Sequence, residues 1–320
     1  MRILVTGGAG FIGSNLVEAL LNDQRVSNIR VLDNFATGSF KNLEAFKDHP
    51  KFQFTEADIR SYEKCLECCT DIDLITHQAA LGSVPRSIND PLTTNEVNIT
   101  GTLNIFTAAK EKKIKRVVYA ASSSTYGDHP GLPKVEDKIG NPLSPYAVTK
   151  YVNELYARVY ASLYGTEFIG LRYFNIFGPK QNPKGPYAAV IPLFAEALIK
   201  NTPPTINGDG NHSRDFTYVD NAVQANVLAL FTNHSKAVNQ VYNIACGHQT
   251  SLNELFQGLK EEAASDLSPI YGPERKGDVK HSLADISKAQ ELLGYNPAVS
   301  VKEGLKKTFQ WYKKELRVKS

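Results

Sequence analysis

Apolar residues in the first half of this chain fall in short runs, each followed by a stretch in which they recur every three or four positions. The runs at 2–6, 29–33, 52–57, 74–79, 116–122 and 168–173 are apolar on both faces, which predicts parallel strands covered by helices on each side. The intervening periodicity predicts helices over 11–21, 62–68, 96–112 and 146–164. The last has the clearest limits: Ser144 is placed to cap it, Pro145 suits its first turn and Gly165 its stop. Strand and helix alternating in this way imply right-handed crossovers and an α/β fold built on a doubly wound parallel Rossmann-type sheet.

The pattern changes past residue 176. Proline and glycine gather at Gly178-Pro179, Gly185-Pro186, Pro203-Pro204, Gly208-Asp209-Gly210 and Gly272-Pro273. Helical periodicity survives between them, at 191–200, 220–231, 252–264 and 301–316. The expected division is a first domain over 1–176 and a smaller, mixed C-terminal lobe over 177–320, interleaved with the first. No internal repeat or low-complexity tract is visible.

Composition narrows the classes. A chain of 320 residues with 42% apolar and 22% charged residues can bury a large core. Its net charge of +3 is too small to argue for a nucleic-acid partner. The lysines between 306 and 314 alternate with Phe309, Trp311 and Tyr312, as on the solvated face of an amphipathic helix. The apolar residues after Met1 stop at Gly7, and no run is long enough to span a bilayer. A cytoplasmic protein without a membrane partner is expected. Cys65 and Cys68 lack the second pair that a zinc site needs. The stretch from Asn207 to Asn211 fails as a calcium loop, because His212 stands in place of the required glycine and Tyr218 in place of the terminal glutamate. No metal is expected.

Two constellations carry chemistry. Gly7, Gly10 and Gly13 follow the first strand and open the first helix, so the backbone can turn tightly and meet a pyrophosphate at a helix N-terminus. Asp33 closes the second strand, where a carboxylate bonds the ribose hydroxyls and repels a 2′-phosphate, favouring NAD over NADP. Asp58 and Ile59 follow the third strand, on the adenine side. Ala79, Ala80 and Gly82 follow the fourth, where small residues let the backbone lie against a cofactor. The second constellation is Tyr146 and Lys150, four apart on one helix face. A nearby ammonium is expected to lower the phenol pKa and make Tyr146 a usable base. Ser122 ends a strand and offers a hydroxyl to the same reacting oxygen.

These residues stand in motifs that resemble the extended short-chain dehydrogenases/reductases, and specifically the UDP-N-acetylglucosamine 4-epimerase family. The landmarks are Thr6-Gly7-Gly8-Ala9-Gly10-Phe11-Ile12-Gly13, Asp33-Asn34, His77-Gln78-Ala79-Ala80, Ser122-Ser123-Ser124-Thr125-Tyr126-Gly127, Tyr146-Ala147-Val148-Thr149-Lys150, Leu171-Arg172-Tyr173-Phe174-Asn175 and Arg214-Asp215-Phe216. They run in order over nearly the whole chain. The resemblance implies a bound NAD that takes a hydride from C4 of a UDP-sugar and returns it to the other face of the 4-keto sugar. Tyr146 would be the base, Lys150 its activator and Ser122 the hydroxyl partner, with Phe11, Ile12, Asn34 and Tyr173 on the cofactor side. The serine run leaves a register question, in which Ser122 is preferred and Ser123 also faces the sugar. Gly82, Ser83, Asn175, Ala189, Val190, Asn207, Arg214, Arg275 and Asp278 would hold the UDP-sugar. Related 4,6-dehydratases carry an Asp-Glu pair where this chain has Ser123 and Ser124, which disfavours dehydration. A position matching Ser282 gates the 2-substituent of the hexose in the family, and a small residue there admits an N-acetyl group. The expected reaction is therefore UDP-GlcNAc/UDP-GalNAc interconversion, extended to the uronic acids if Arg86 meets a carboxylate. The alternatives are a UDP-glucose or UDP-glucuronate 4-epimerase, a decarboxylase of the superfamily, or a non-catalytic NAD-binding scaffold. A homodimer through the helices over 96–112 and 146–164 is also implied.

Overall fold

The computed structural model describes residues 1–183, 188–274 and 280–317. Seven parallel strands form the central sheet in the order β11 (Gln240–Ile244), β6 (Glu167–Tyr173), β5 (Arg116–Ser122), β4 (Leu74–His77), β1 (Arg2–Thr6), β2 (Asn28–Asp33) and β3 (Phe52–Glu56). Register places Ser122 opposite Tyr173 and Thr6 opposite His77, so these side chains meet at the carboxyl edge of the sheet. The two faces are packed separately. One buries Ile3, Val5, Val31, Val118 and Leu171 under α1 (Phe11–Leu21) and α8 (Val219–Phe231). The other buries Leu4, Ile75, Val117 and Phe168 under α2 (Tyr62–Cys68), α5 (Thr102–Glu111) and α6 (Pro145–Tyr164). Each face is a continuous apolar layer, which is why the strands read as apolar on both sides.

Local signals place the long helix. The Ser144 hydroxyl accepts the Ala147 amide at 3.1 Å, and Gly165 stops the helix with a left-handed φ of 75°. The single helix expected over 96–112 is divided. A π-helical turn over Glu96–Gly101 precedes α5, and short helices α3 (Val84–Asn89) and α4 (Pro91–Asn95) lead into it. A side chain at Gly101 would meet Ile59 at 2.6 Å, so the turn lies hard against α2's approach.

The second half sends two elements into the sheet layer, strand β11 and helix α8. The rest forms a smaller lobe around α7 (Val190–Ile199), α9 (Leu252–Ala263) and α11 (Val301–Arg317), cored by Phe177, Phe194, Phe216, Phe256 and Phe309. Two-stranded pairs stitch it: β7 (Ile176–Phe177) with β10 (Thr217–Tyr218), β8 (Thr205–Asn207) with β13 (Ile270–Gly272), and β9 (Ser213–Arg214) with β12 (Thr250–Ser251). Helix α10 (Ser287–Leu293) returns against β11. Among the described residues no helix is long and apolar enough to cross a membrane, and no cluster of His, Cys, Asp or Glu could hold a metal ion.

Candidate active site

A cavity of about 540 Å³ lies along the carboxyl edge of the sheet. The turn from β1 to α1 forms one wall. Gly7 has φ 69°, and a Cβ there would come within 2.6 Å of the Ala79 amide; one at Gly13 would come within 2.1 Å of the Gly7 carbonyl. Only glycine lets the turn, the helix start and the end of β4 approach this closely. Helix α1 begins at Gly10 without a side-chain cap, so its first turn faces the cavity with backbone amides alone.

At one end, the Asp33 carboxylate accepts the amides of Ala9 at 2.9 Å and Phe35 at 2.8 Å. Burial pushes its pKa up, and these backbone bonds oppose the rise. Asp58 is held below the usual carboxylate range by Arg60, which reaches it at 2.7 Å, and Asn34 donates to Asp58 at 2.9 Å. Arg60 was legible two positions after Asp58 but was not singled out. Behind the glycine turn, His77 is fully enclosed. It bonds the Thr6 hydroxyl at 2.6 Å and the Thr102 hydroxyl at 3.0 Å, and burial lowers its pKa to about 3, so it is neutral.

The other end gathers Ser122, Tyr146, Lys150, Tyr173 and Asn175. The Ser122 hydroxyl accepts the Ser124 amide at 3.1 Å and the Ser124 hydroxyl at 2.9 Å. Its own proton is then free to point toward the Tyr146 phenol, whose pKa the Ser122 hydroxyl lowers. The Lys150 ammonium donates to the Ala120 carbonyl at 2.8 Å and lies 5.9 Å from the centre of the Tyr146 ring. This corrects the expected electrostatics. Burial raises the Tyr146 pKa above that of an ordinary tyrosine, the Ser122 hydrogen bond works against the rise, and Lys150 is not among the causes. The physical reason is that the ammonium is turned onto a backbone carbonyl. Burial itself lowers Lys150 to about 8.

Beyond Asn175, a second cavity of about 670 Å³ opens in the smaller lobe, and the two share Asn175 and Ile176. Asn175 sits at φ 40° and donates to the Asp215 carbonyl at 3.0 Å. The buried Asp215 carboxylate accepts the amides of Cys246, Gly247 and Ala284, and burial raises it to about 6. Of the residues singled out from sequence, Gly7, Gly10, Phe11, Ile12, Gly13, Asp33, Asn34, Asp58, Ile59, Ala79, Ala80, Gly82 and Ser83 line the first cavity with the Ser122–Tyr146–Lys150 group and Tyr173. Ala189, Val190, Asn207 and Arg214 line the second. Ser123 and Ser282 line neither. Ser282 is half-buried and donates its amide to the Ser213 carbonyl at 3.1 Å, beside Arg214. Arg275 and Asp278 lie outside the described residues. Gln78 and Gln181 in the first cavity, and His212 and Phe216 in the second, join the walls without having been picked out. Gln78 and Phe216 were inside quoted motifs; Gln181 and His212 carry no local signal.

A Rossmann sheet with a serine, a tyrosine and a lysine at its carboxyl edge, and a second cavity beyond them, defines an extended short-chain dehydrogenase/reductase. Residues 3–245 match the model of the NAD dependent epimerase/dehydratase family, and the chain belongs to that family. A putative UDP-glucose 4-epimerase of Methanocaldococcus jannaschii is 40% identical over 317 residues, 98% of this chain and 99% of that protein. The structure of a UDP-N-acetylglucosamine 4-epimerase from Methanobrevibacter ruminantium in complex with UDP-N-acetylmuramic acid superposes with a TM-score of 0.93 at 38% identity, covering 98% of each chain. A UDP-glucose 4-epimerase from Thermotoga maritima with UDP-glucose gives 0.92 at 37% identity, covering 99% of this chain and 100% of that one. The side-chain-free glycine turn, the uncapped helix start and the carboxylate of Asp33 fit the pyrophosphate and ribose of NAD.

Proposed function

We propose that this protein is a UDP-sugar 4-epimerase with a resident NAD, and that its sugars are the UDP-GlcNAc/UDP-GalNAc pair, with the corresponding uronic acids as extensions. The observation that carries the first part is the junction of the two cavities at Asn175. Ser122 and Tyr146 lie on one side of it and the Arg214 wall on the other. Residues 1–176 chiefly serve the dinucleotide, and 177–320 the UDP-sugar. NAD, when bound, supplies a reversible hydride acceptor. As the phenolate, Tyr146 would take the proton of the sugar 4-hydroxyl and give it back, Ser122 would orient that exchange, and Lys150 would keep a positive charge at the cavity wall. Arg214 favours the diphosphate, for which a planar guanidinium is suited; Arg275 and Asp278 are assigned to diphosphate and ribose by resemblance alone.

The N-acetyl preference rests on resemblance alone, at the family position that Ser282 matches; Ser282 itself stands beside Arg214 and lines neither cavity. With no cofactor added, the purified protein is expected to convert UDP-GlcNAc faster than UDP-glucose, read by chromatography of the products. Ser282→Tyr should lower the N-acetyl turnover about tenfold or more and spare UDP-glucose, the scale on which a pocket discriminates by size, on the order of 1–3 kcal/mol; unchanged turnover would show that Ser282 does not gate the sugar. A wild-type preference for UDP-glucose would remove the N-acetyl assignment and leave the UDP-glucose reading.

We also propose that the functional unit is a homodimer. Val148, Leu155, Val159 and Leu163 recur at helical spacing along α6 and are 46%, 39%, 49% and 65% exposed, with Ile88 of α3 and Leu92 of α4 also uncovered. A contiguous apolar face of this kind is a liability for a monomer, and a second copy of α6 would cover it. Leu155→Glu with Val159→Glu is expected to halve the mass seen by sedimentation equilibrium. An unchanged mass would rule out this face.

A further inference from the structure

Helix α8 follows β10 directly and runs beneath the sheet, packed against β4, β5 and β6. Midway along it stands Asn226, wholly buried. Its Nδ2 donates to the Ala222 carbonyl at 2.8 Å and to the Tyr173 hydroxyl at 2.7 Å. Its Oδ1 accepts Gln78 Nε2 at 3.0 Å and the Thr76 hydroxyl at 3.2 Å. Gln78 Nε2 also donates to Thr76 Oγ1 at 2.9 Å, and the Tyr173 hydroxyl donates to Gln78 Oε1 at 3.1 Å. Gln78 and Tyr173 line the cavity beside Lys150; Asn226 does not.

We infer that Asn226 is a positioning residue for the reaction: its carboxamide closes a one-way hydrogen-bond circuit that fixes Tyr173 and Gln78 on the cavity wall and keeps the Tyr173 proton out of the chemistry. The direction follows from one group. A backbone carbonyl only accepts, so Ala222 fixes which end of the Asn226 amide is nitrogen. The oxygen end then needs a donor, which orients the Gln78 amide and turns its oxygen to Tyr173. Tyr173 must therefore give its proton to Gln78. Two tyrosines face the same cavity near the same lysine, and the circuit separates them. The Tyr146 side chain lies outside the circuit and lines the cavity, whereas the Tyr173 proton is committed inside the wall. Fully satisfied buried circuits hold one geometry, and a single wrong partner leaves several groups unpaired.

This inference rests on the reading of the cavity as an NAD site. The test is a double-mutant cycle on the stripped protein, with NAD affinity read by titration calorimetry and kcat read separately. Asn226→Asp keeps the shape but cannot donate to Tyr173 or to Ala222. It is expected to weaken NAD binding about tenfold, the scale of an unsatisfied buried partner, and to lower kcat at an unchanged KM for the sugar. In a Tyr173→Phe background, where no hydroxyl remains to misplace, the same change should cost less than about threefold, a non-additivity that mere packing of α8 would not give. Should Asn226→Asp not fold by its melting curve, Gln78→Glu, which cannot donate to Asn226, enters the same cycle. Additive losses, or wild-type NAD affinity in the variant, overturn the inference. A wild-type protein that binds no NAD would instead sink the reading of the cavity.

Discussion

Tyr146→Phe is expected to lower kcat by about 10³-fold, within the range for loss of a positioned acid/base, while NAD affinity stays within about threefold and the melting temperature holds. The ring is retained, so the packing at the start of α6 is unchanged. Only the phenolic oxygen, whose pKa the Ser122 hydroxyl lowers, is removed. That oxygen stays protonated in the resting protein, since burial lifts its pKa above the ordinary tyrosine value. Tyr146 can therefore take the sugar's proton only once its own proton has left to solvent, so a phenolate must precede the hydride's departure. Among the described residues the other tyrosine lining the cavity, Tyr173, is raised to about 12 by burial and bonded through its hydroxyl to Gln78 and Asn226. It is no substitute. A kcat within tenfold of wild type in Tyr146→Phe would show that another group takes the proton, and would retire the proposed base.

Much of the sheet half was legible because its signals are local. Two-sided apolar runs marked β1 to β6, Ser144 and Gly165 marked the ends of α6, and helix periodicity alone put Tyr146 and Lys150 on one face. What was not legible depends on partners far along the chain. Strand β11 contains Asn243, fully buried, which accepts from Tyr126 and donates to the carbonyls of Lys134 and Asp285. A polar residue in that place breaks the apolar run by which a buried strand is recognised, so the strand was missed. Helix α8 was expected over 220–231, but the buried contacts of Asn226 within it were not legible, nor was the π turn before α5, where Gly101 is shaped by Ile59. Motif spacing also names positions without placing them. Ser282 answers to a family pattern, yet its backbone is tied to Ser213 and its side chain reaches neither cavity wall. Spacing put Lys150 beside Tyr146, but it could not say that the ammonium would turn to the Ala120 carbonyl.

That turn gives the second large effect. Lys150→Met is expected to lower kcat by about 10²-fold or more and, at the same time, to raise the melting temperature at pH 7 by several degrees. Lys150 is only 4% exposed, and the described structure gives its ammonium a carbonyl but no carboxylate partner. Burial moves its pKa from an ordinary 10.5 to about 8, which charges the folded state about 3 kcal/mol for holding the cation. Methionine keeps the unbranched stem and removes the charge. The pH dependence has a definite sign. A depressed lysine pKa penalises the folded protein fully below about 8, and the penalty fades as the pH rises toward 10.5, where the unfolded chain also loses the proton. The gap in melting temperature between variant and wild type should therefore be widest near neutrality and close as the pH rises from 8 to 10. A variant no more stable than wild type at pH 7, or a gap that ignores pH, would mean that the ammonium is paired and not strained. The cation is then kept at a cost in stability because the site needs it, as is common where catalytic groups are desolvated.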